Sequence, residues 1–419
     1  PRSAVRVDDS RTAYALLSAA FYDYPSHTLR TIGVTGTNGK TTVTFALAHL
    51  LRRRGKTGML STIQYETGAA TVPATRTTPG AERVQYYLAE MCRAGCAFCV
   101  MEVSSHALRQ RRVAGTRFEA AVFTNLSQDH LDYHKDMESY YKVKKQLFHP
   151  SRCRTAIINI DDLYGRRLQS EIAGIAVHTY GTAHDADFRI RDVKTDLNGS
   201  SFLIMHNDNA YRIETVLIGR HNVYNVTAAF ACALMRGIDA ASVQKGIAGI
   251  TQVKGRLERV LTPAGAHVFI DYAHTPDAFE NVLALVRDIQ PARLITVFGC
   301  GGDRDRTKRP RMGSCAARYS DWVIITNDNP RYEDEESIFR DIEEGVRSVP
   351  HAVFTLISDR ARAIETALAE AGGDDAVVIL GKGHEEYIDK KGERTFFSDR
   401  AAVDTWVQHQ ANAEYRGSV

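Results

Sequence analysis

The segment Thr31-Ile-Gly-Val-Thr-Gly-Thr-Asn-Gly-Lys-Thr-Thr42 leaves its backbone few choices. Residues 31–34 begin with β-branched side chains and read as the end of a buried strand. Gly36 and Gly39 allow a tight turn whose successive N–H groups point into one concavity. Residues 43–53 then carry apolar side chains at helical spacing, so the turn opens onto a helix N-terminus. A cation at that end, Lys40, opposes the helix dipole. A phosphate removes the conflict. The backbone from Gly36 through Thr37, Asn38 and Gly39 would cradle it, Lys40 would neutralise it, and the hydroxyl of Thr41, followed by Thr42, could reach Mg²⁺. The spacing departs from the strict G-x-x-x-x-G-K-[ST] pattern, because Val34 stands at the first glycine position. A strand, a turn and a helix with a surface lysine would be the bland alternative; the segment reads as a nucleotide phosphate loop.

At 419 residues the chain is too long for one ordinary core, and two or three domains are expected. Lysine plus arginine number 53 against 50 aspartates and glutamates, and the net charge of +3 argues against a polyanion-binding tail and a nucleic-acid partner. Apolar runs such as 376–380 are strand-sized, too short to span a bilayer. No charged-then-apolar leader opens the sequence, and seven scattered cysteines fit reduced thiols, so a cytoplasmic location is expected. Nothing specifies an oligomer, and a monomer is the default expectation.

After a lead-in at 1–30 with a short helix at 13–21, strands (31–35, 57–62, 97–103, 119–124, 155–161) alternate with helices (41–53, 80–94, 137–149). Such alternation implies parallel βαβ units in a doubly wound α/β sheet. Residues 188–205 and 211–218 instead read as a small antiparallel sheet with polar turns at Asn198-Gly199 and Asn207-Asp208-Asn209. Helices at 223–235 and 241–248 close this region. A second series follows: strands at 267–271, 294–298, 322–326, 352–356 and 376–380, with helices at 277–288, 338–347 and 359–371. The expected domains are 31–252, with the phosphate loop, and 253–419, a Rossmann-like α/β domain.

Glu102 ends an apolar strand and precedes Ser104-Ser105-His106, the place for a Mg²⁺ ligand beside a phosphate loop. A solvated acid beside a helix cap is the simpler alternative. Asn125-Leu-Ser-Gln-Asp-His130-Leu-Asp-Tyr-His134 also follows a strand and crowds polar groups at the same sheet edge; read in isolation, its histidines are satisfied loop residues, the commoner case. Lys142, Lys144 and Lys145 share one helix, and position alone singles out none of them. Cys92-x-x-x-Cys96-x-x-Cys99 has the spacing of a radical S-adenosylmethionine cluster, which needs three thiolates converging from a loop. Here Cys92 falls in a helix and Cys99 in a strand, so packed small hydrophobes are expected. In the second domain, polar loops follow three strands: Gly299-Cys-Gly-Gly-Asp-Arg304, Asp328-Asn-Pro-Arg331 and Gly381-Lys-Gly-His-Glu385. Their common sheet edge defines a crevice, with Arg304 and Arg331 suited to a carboxylate and Glu385 to an amine.

Together these motifs, with Thr75-Arg-Thr-Thr-Pro79, Leu217-x-Gly-x-His-Asn222, Gly255-Arg-x-Glu258 and Asp271-Tyr-Ala-His-Thr-Pro276, resemble the Mur ligases, most closely the diaminopimelate-adding branch. The resemblance runs from about residue 31 to 399 and implies an ATP-dependent amide-bond-forming enzyme of peptidoglycan precursor synthesis. It would add meso-diaminopimelate to the D-glutamate carboxylate of UDP-N-acetylmuramoyl-L-Ala-D-Glu through an acyl phosphate. By the same resemblance Lys40 and Thr41 hold the ATP phosphates, Glu102 and His130 serve magnesium, and Arg256 contacts phosphate. Asn222, Asn225 and Asp271 lie near adenine or ribose. Thr77, Thr78, Ser104, Gln110 and Arg112 contact the muramoyl dipeptide, and Lys144 matches a carbamylated lysine that joins the metal site. Arg304, Asp328, Asn329, Arg331, Gly381 and Glu385 match the diaminopimelate site; lysine-adding relatives lack the arginine at the position of Arg331.

One departure stands out. The family carries a uridine-binding domain before the phosphate loop, where this sequence has about 30 residues. Either the sequence is a piece of a longer chain or it is a paralogue acting on a UDP-free substrate. A folylpolyglutamate-synthase-like ligase shares the loop and domain plan, but Asp328-Asn-Pro-Arg331 and Lys382-Gly-His-Glu385 speak against it. A non-catalytic nucleotide-binding protein is the remaining alternative, against which the intact Lys40, Glu102, His130 and Lys144 argue.

Overall fold

Alternate burial on both faces of the parallel strands organises the first part of the chain. The computed structural model describes residues 6–129 and 131–417, which divide into two units, Pro1–Thr251 and Gln252–Val419.

The first unit is built on one eleven-stranded sheet. Its strands are β1 (Arg30–Thr35), β2 (Thr57–Leu60), β3 (Gln64–Glu66), β4 (Thr71–Pro73), β5 (Phe98–Glu102), β6 (Ala120–Phe123), β7 (Thr155–Asn159), β8 (Ala176–Gly181), β9 (Phe188–Asp196), β10 (Gly199–His206) and β11 (Asn209–Thr215). The order is β11-β10-β9-β8-β7-β6-β1-β5-β2-β3-β4, parallel from β9 to β2 and antiparallel at both ends. The helices are α1 (Ser10–Phe21), α2 (Lys40–Leu51), α3 (Ala81–Arg93), α4 (Ser105–Arg109), α5 (Leu131–His134), α6 (Met137–Lys145), α7 (Leu163–Glu171), α8 (Arg220–Met235) and α9 (Ala240–Ala248).

Strand residues divide by parity between two cores. Ile32, Val34, Phe98, Val100, Ala120 and Val122 face α2, α8 and α9. Cys99, Met101, Ala121 and Phe123 face the side of α3 and α6. Burial on both faces is what a doubly wound parallel sheet requires. The antiparallel strands expected between 188 and 218 are present, and they extend this same sheet because β9 pairs with β8. Cys92 lies in α3, where its thiol donates to Pro25 O, and buried Cys96 donates to Thr67 O. Cys99 lies inside β5, so the three thiols face different surroundings.

The second unit holds a six-stranded sheet, order β12-β13-β17-β14-β15-β16. Its strands are β12 (Glu258–Leu261), β13 (His267–Asp271), β14 (Leu294–Phe298), β15 (Trp322–Ile325), β16 (Phe354–Leu356) and β17 (Ala376–Leu380), followed by the hairpin β18 (Tyr387–Lys390) and β19 (Glu393–Phe396). The helices α10 (Pro276–Asp288), α11 (Lys308–Tyr319), α12 (Glu335–Arg347), α13 (Arg360–Glu370) and α14 (Asp399–Gly417) complete it. All pairings from β13 to β16 are parallel, so the C-terminal ends of β14, β15 and β17 lie side by side and their loops gather at one edge. Among the described residues no helix is long and apolar enough to cross a membrane.

Candidate active site

The loop after β1 is held by its neighbours before any ligand is considered. Thr37 N–H donates to Asn125 O at 2.9 Å, Asn38 N–H to Asn125 Oδ1 at 3.0 Å, and Thr124 Oγ1 to Asn38 O at 2.6 Å. Gly39 adopts φ +85° as the N-cap of α2, and a Cβ there would come 2.2 Å from Asn225 Oδ1. Asn225 thus packs against the loop from α8, with its Nδ2 on Asn222 Oδ1 at 3.0 Å. Lys40 folds back, donating to Gly36 O at 3.0 Å and Thr37 O at 2.7 Å. Thr42 is buried in the first turn of α2.

Glu102 is fully buried at the end of β5. Its Oε2 accepts from Thr41 Oγ1 at 3.1 Å and Thr62 Oγ1 at 3.0 Å, while Oε1 accepts from Thr62 N–H at 2.7 Å. A buried carboxylate needs such donors. The set of one carboxylate and two hydroxyls is all hard oxygen, which fits a magnesium ion.

Beside it, Thr62 Oγ1 reaches Thr77 Oγ1 at 3.2 Å, and Thr78 Oγ1 donates to Glu102 O at 2.8 Å. Ser104 N–H donates to Thr78 Oγ1 at 3.0 Å, and Arg112 reaches both Thr78 O and Gln110 Oε1 at 2.8 and 2.7 Å. The five residues assigned to the dipeptide substrate thus form one connected patch with Glu102. Thr62 belongs to it and has no motif of its own; Ser61-Thr62 at the end of an apolar strand was its only signal.

The three clustered lysines differ sharply. Lys142 and Lys145 keep 68% and 38% of their side chains exposed and pair with Glu138 and Glu171. Lys144 is 1% exposed, donates to Gly36 O at 2.8 Å, and lies 4.8 Å from the centre of the Tyr140 ring. Burial, reinforced by nearby Lys40, drives its pKa well below the usual lysine value. His130 lies outside the described residues.

In the second unit, Asp271 ends β13 and uses both oxygens on backbone donors, Leu257 N–H at 2.6 Å and Ala273 N–H at 2.7 Å. Burial raises its pKa, and Arg256 opposes the rise. Arg256 lies over the Tyr272 ring at 5.3 Å.

The three loops expected to share an edge do so. Asn329 Nδ2 donates to Glu385 Oε2 at 2.9 Å, joining the loop after β15 to the loop after β17. Gly381 has φ +112°, and a Cβ there would sit 2.8 Å from Asp328 Oδ2. Arg331 and Arg304 flank Gly301, where a Cβ would lie 2.9 Å from Arg331 Nη1 and 3.8 Å from Arg304 Cγ. Arg331 itself has φ +54° and donates to Gly302 O at 2.7 Å. Its backbone is gripped by the hairpin: its N–H donates to Asp389 O and its carbonyl accepts from Lys391 N–H. Burial raises the pKa of Glu385.

Two buried arginines support these loops without any motif to announce them. Arg360 on α13 pairs with Asp399 and donates to Asn327 O and Leu380 O, both at 3.0 Å, immediately before Asp328 and Gly381. Arg309 on α11 joins Glu333, Asp341 and Gly301 O.

Comparison with known proteins bears on both units. Residues 34–233 match the Mur ligase middle domain and residues 255–383 the Mur ligase glutamate ligase domain. UDP-N-acetylmuramoyl-L-alanyl-D-glutamate--2,6-diaminopimelate ligase of Syntrophomonas wolfei is 44% identical over 397 residues, covering 94% of this chain and 81% of the relative. A solved structure of a ligase of that same name aligns with a TM-score of 0.70 at 34% identity, over 96% of this chain and 83% of the other. Folylpolyglutamate synthase of Mycobacterium tuberculosis, complexed with ADP, also aligns at a TM-score of 0.70, over 90% of this chain and 93% of the other, with 21% identity. That last likeness concerns the fold alone.

Proposed function

The chain belongs to the Mur ligase family, and from that premise we propose that it joins meso-diaminopimelate to the D-glutamate carboxylate of UDP-N-acetylmuramoyl-L-alanyl-D-glutamate, with ATP converted to ADP and phosphate. The observation that carries this reading is the loop edge of the second unit. Asp328, Asn329 and Glu385 are gathered beside two arginines that flank Gly301. Two carboxylates and two guanidiniums suit an amino acid with a second charged end.

The reaction has two steps. An oxygen of the glutamate carboxylate attacks the γ-phosphorus of ATP, the bond to the β,γ-bridging oxygen breaks, and ADP leaves behind an acyl phosphate. The amine nitrogen then attacks the acyl carbon, the bond to phosphate breaks, and the amine proton passes to solvent or a base. Lys40 and the loop N–H groups would hold the phosphates, with Asn222 and Asn225 near the nucleoside. Thr77, Thr78, Ser104, Gln110 and Arg112 would orient the dipeptide so that its carboxylate meets the phosphate in line. Thr41 and Glu102, with Lys144 as a carbamate and His130, would hold magnesium, which supplies charge neutralisation on the phosphoryl oxygens. Arg256 and Asp271 are assigned to the nucleotide, Arg304 and Arg331 to the distal carboxylate of the amine, and Asp328, Asn329, Gly381 and Glu385 to its ammonium end.

The burial of Lys144 supports its assignment. A neutral amine adds CO₂ and releases a proton, giving a planar anion in place of a cation, and burial favours the neutral amine. The test is ADP release and product mass with UDP-linked and UDP-free muramoyl dipeptide, each with and without meso-diaminopimelate. ADP release that needs both substrates, with a product heavier by one diaminopimelate residue, is expected. Equal use of the UDP-free dipeptide would favour the paralogue reading, and ADP release driven by folate and glutamate would overturn the proposal.

A further inference from the structure

Lys382 has no role in the scheme above, yet its side chain is completely buried. A lysine is almost never fully buried without partners. Its ammonium donates to Asn329 Oδ1 at 3.1 Å and Asp328 Oδ1 at 3.4 Å, lies 3.5 Å from Glu385 Oε2, and sits 5.5 Å from the centre of the Tyr387 ring. Three oxygens from two loops therefore converge on one cation. Asn329 Oδ1 also accepts from Asp389 N–H at 2.9 Å. With that oxygen engaged by two donors, the Asn329 amide has one orientation, and its Nδ2 is directed at Glu385 Oε2.

We propose that Lys382 is a positioning residue for the amine subsite: its buried ammonium bridges Asp328, Asn329 and Glu385, holding the two carboxylates side by side and fixing the Asn329 amide, so that the subsite presents negative charge to the ammonium of the incoming amino acid. The inference rests on reading this loop edge as the amine site. Two carboxylates in one buried cluster oppose each other's ionisation unless a cation lies between them. Burial and Asp328 both push the Glu385 carboxyl up, while Lys382 and the Asn329 hydrogen bond pull it down. The other groups that bear on Glu385 are Tyr272 just after β13, its hydroxyl 3.5 Å from Oε1, Tyr387 on the hairpin, and Arg360 on α13. Arg360 is already paired with Asp399, so it does not replace Lys382 as counter-ion.

The test compares Lys382→Met, Lys382→Gln and Lys382→Arg in the ligation assay, measuring KM for meso-diaminopimelate and for ATP across pH. Lys382→Gln keeps a hydrogen-bond donor for Asn329 while removing the charge, so it remains informative if Lys382→Met does not fold. Both neutral variants are expected to raise the amine KM roughly tenfold or more, while the ATP KM stays within about twofold. The pH below which the amine KM climbs should move upward in both, because Glu385 then keeps its proton to higher pH, and Lys382→Arg should return it toward the wild-type position. An unmoved pH profile, or equal rises in both KM values, would mean that Lys382 only supports the fold and would overturn the proposal. Absence of diaminopimelate ligation by the wild-type protein would be a different failure, that of the amine-site reading itself.

Discussion

Glu102→Gln separates charge from structure at the phosphate loop. The glutamine fills the same volume at a site with no exposure and keeps an acceptor oxygen for Thr62 N–H. Its amide nitrogen replaces Oε2, and the hydroxyls of Thr41 and Thr62, which now donate to that oxygen, can rotate to accept instead. Stability should therefore change by no more than about 1 kcal/mol, or roughly 1–2 °C in Tm for a chain of 419 residues. Turnover should respond quite differently. An amide supplies no negative charge to a divalent ion, and losing a metal's share of phosphoryl charge stabilisation, about 3 kcal/mol, is a loss of roughly a hundredfold in kcat. Glu102→Ala is the contrasting variant, since it strands the half-buried Thr62 N–H and should lower stability by about 1–3 kcal/mol beyond the glutamine variant. The assays are thermal unfolding and coupled ADP release over a magnesium titration. Wild-type kcat and an unchanged magnesium requirement in Glu102→Gln would refute the reasoning, because a carboxylate needed only for its hydrogen bonds would behave in that way.

The sites described above give four further outcomes. L-lysine lacks the second carboxylate assigned to Arg331 and Arg304, so its kcat/KM should fall below that of meso-diaminopimelate by about 1–3 kcal/mol, roughly tenfold to a hundredfold; comparable values would remove that assignment. The lowered pKa of Lys144 means that the ammonium prevails only below it, so activity lost in CO₂-free buffer should return on adding bicarbonate, and more readily as pH rises through that pKa. Lys144→Ala should lose ligation and recover in part with short carboxylic acids, and an active, unrescued alanine variant would contradict the carbamate. Gly39→Ala forces a Cβ to within 2.2 Å of Asn225 Oδ1 at φ +85°, so melting should show a loss of about 1–2 kcal/mol or more, and an unchanged Tm would show that the loop relaxes.

The parallel core was readable because burial on both faces leaves uninterrupted apolar strands, as in β5 and β17. What escaped the sequence had packing that local pattern does not encode. The helix α11 contains Pro310 and Gly313, which argue against a helix on propensity. Pro310 falls in its first turn, where its missing N–H has no intrahelical partner to lose. Gly313 is there because a Cβ would meet Ile342 O of α12 at 2.3 Å. The hairpin β18–β19 is short and charged, and its turn at Lys391-Gly392 has φ values of +55° and +83° without the usual asparagine. Yet that hairpin grips the backbone of Arg331 and orients Asn329 through Asp389.

The same limit explains which site residues could be read. Lys40, Glu102, Arg331 and Glu385 lie in loops, at a strand end or at the first residue of a helix, where glycine and polar residues interrupt an apolar pattern and announce themselves. Lys144, Lys382, Arg309 and Arg360 are basic residues with almost no exposure, and a sequence does not report that burial, even for Lys382 inside the motif that ends at Glu385. Only tertiary structure distinguishes a lysine at 68% exposure from its neighbour two residues on at 1%. That difference has chemical consequences, because burial is what allows a lysine to lose its proton or to act as the fixed counter-ion of a carboxylate pair. On the proposed function the loop and strand-end residues would meet the substrates, whereas the buried basic residues would set their charge and aim. Substitutions of the first kind should alter kcat or KM directly. Substitutions of the second kind should show themselves in pH profiles, and those of Lys382 and Lys144 should move with the protonation of Glu385 and of the Lys144 amine.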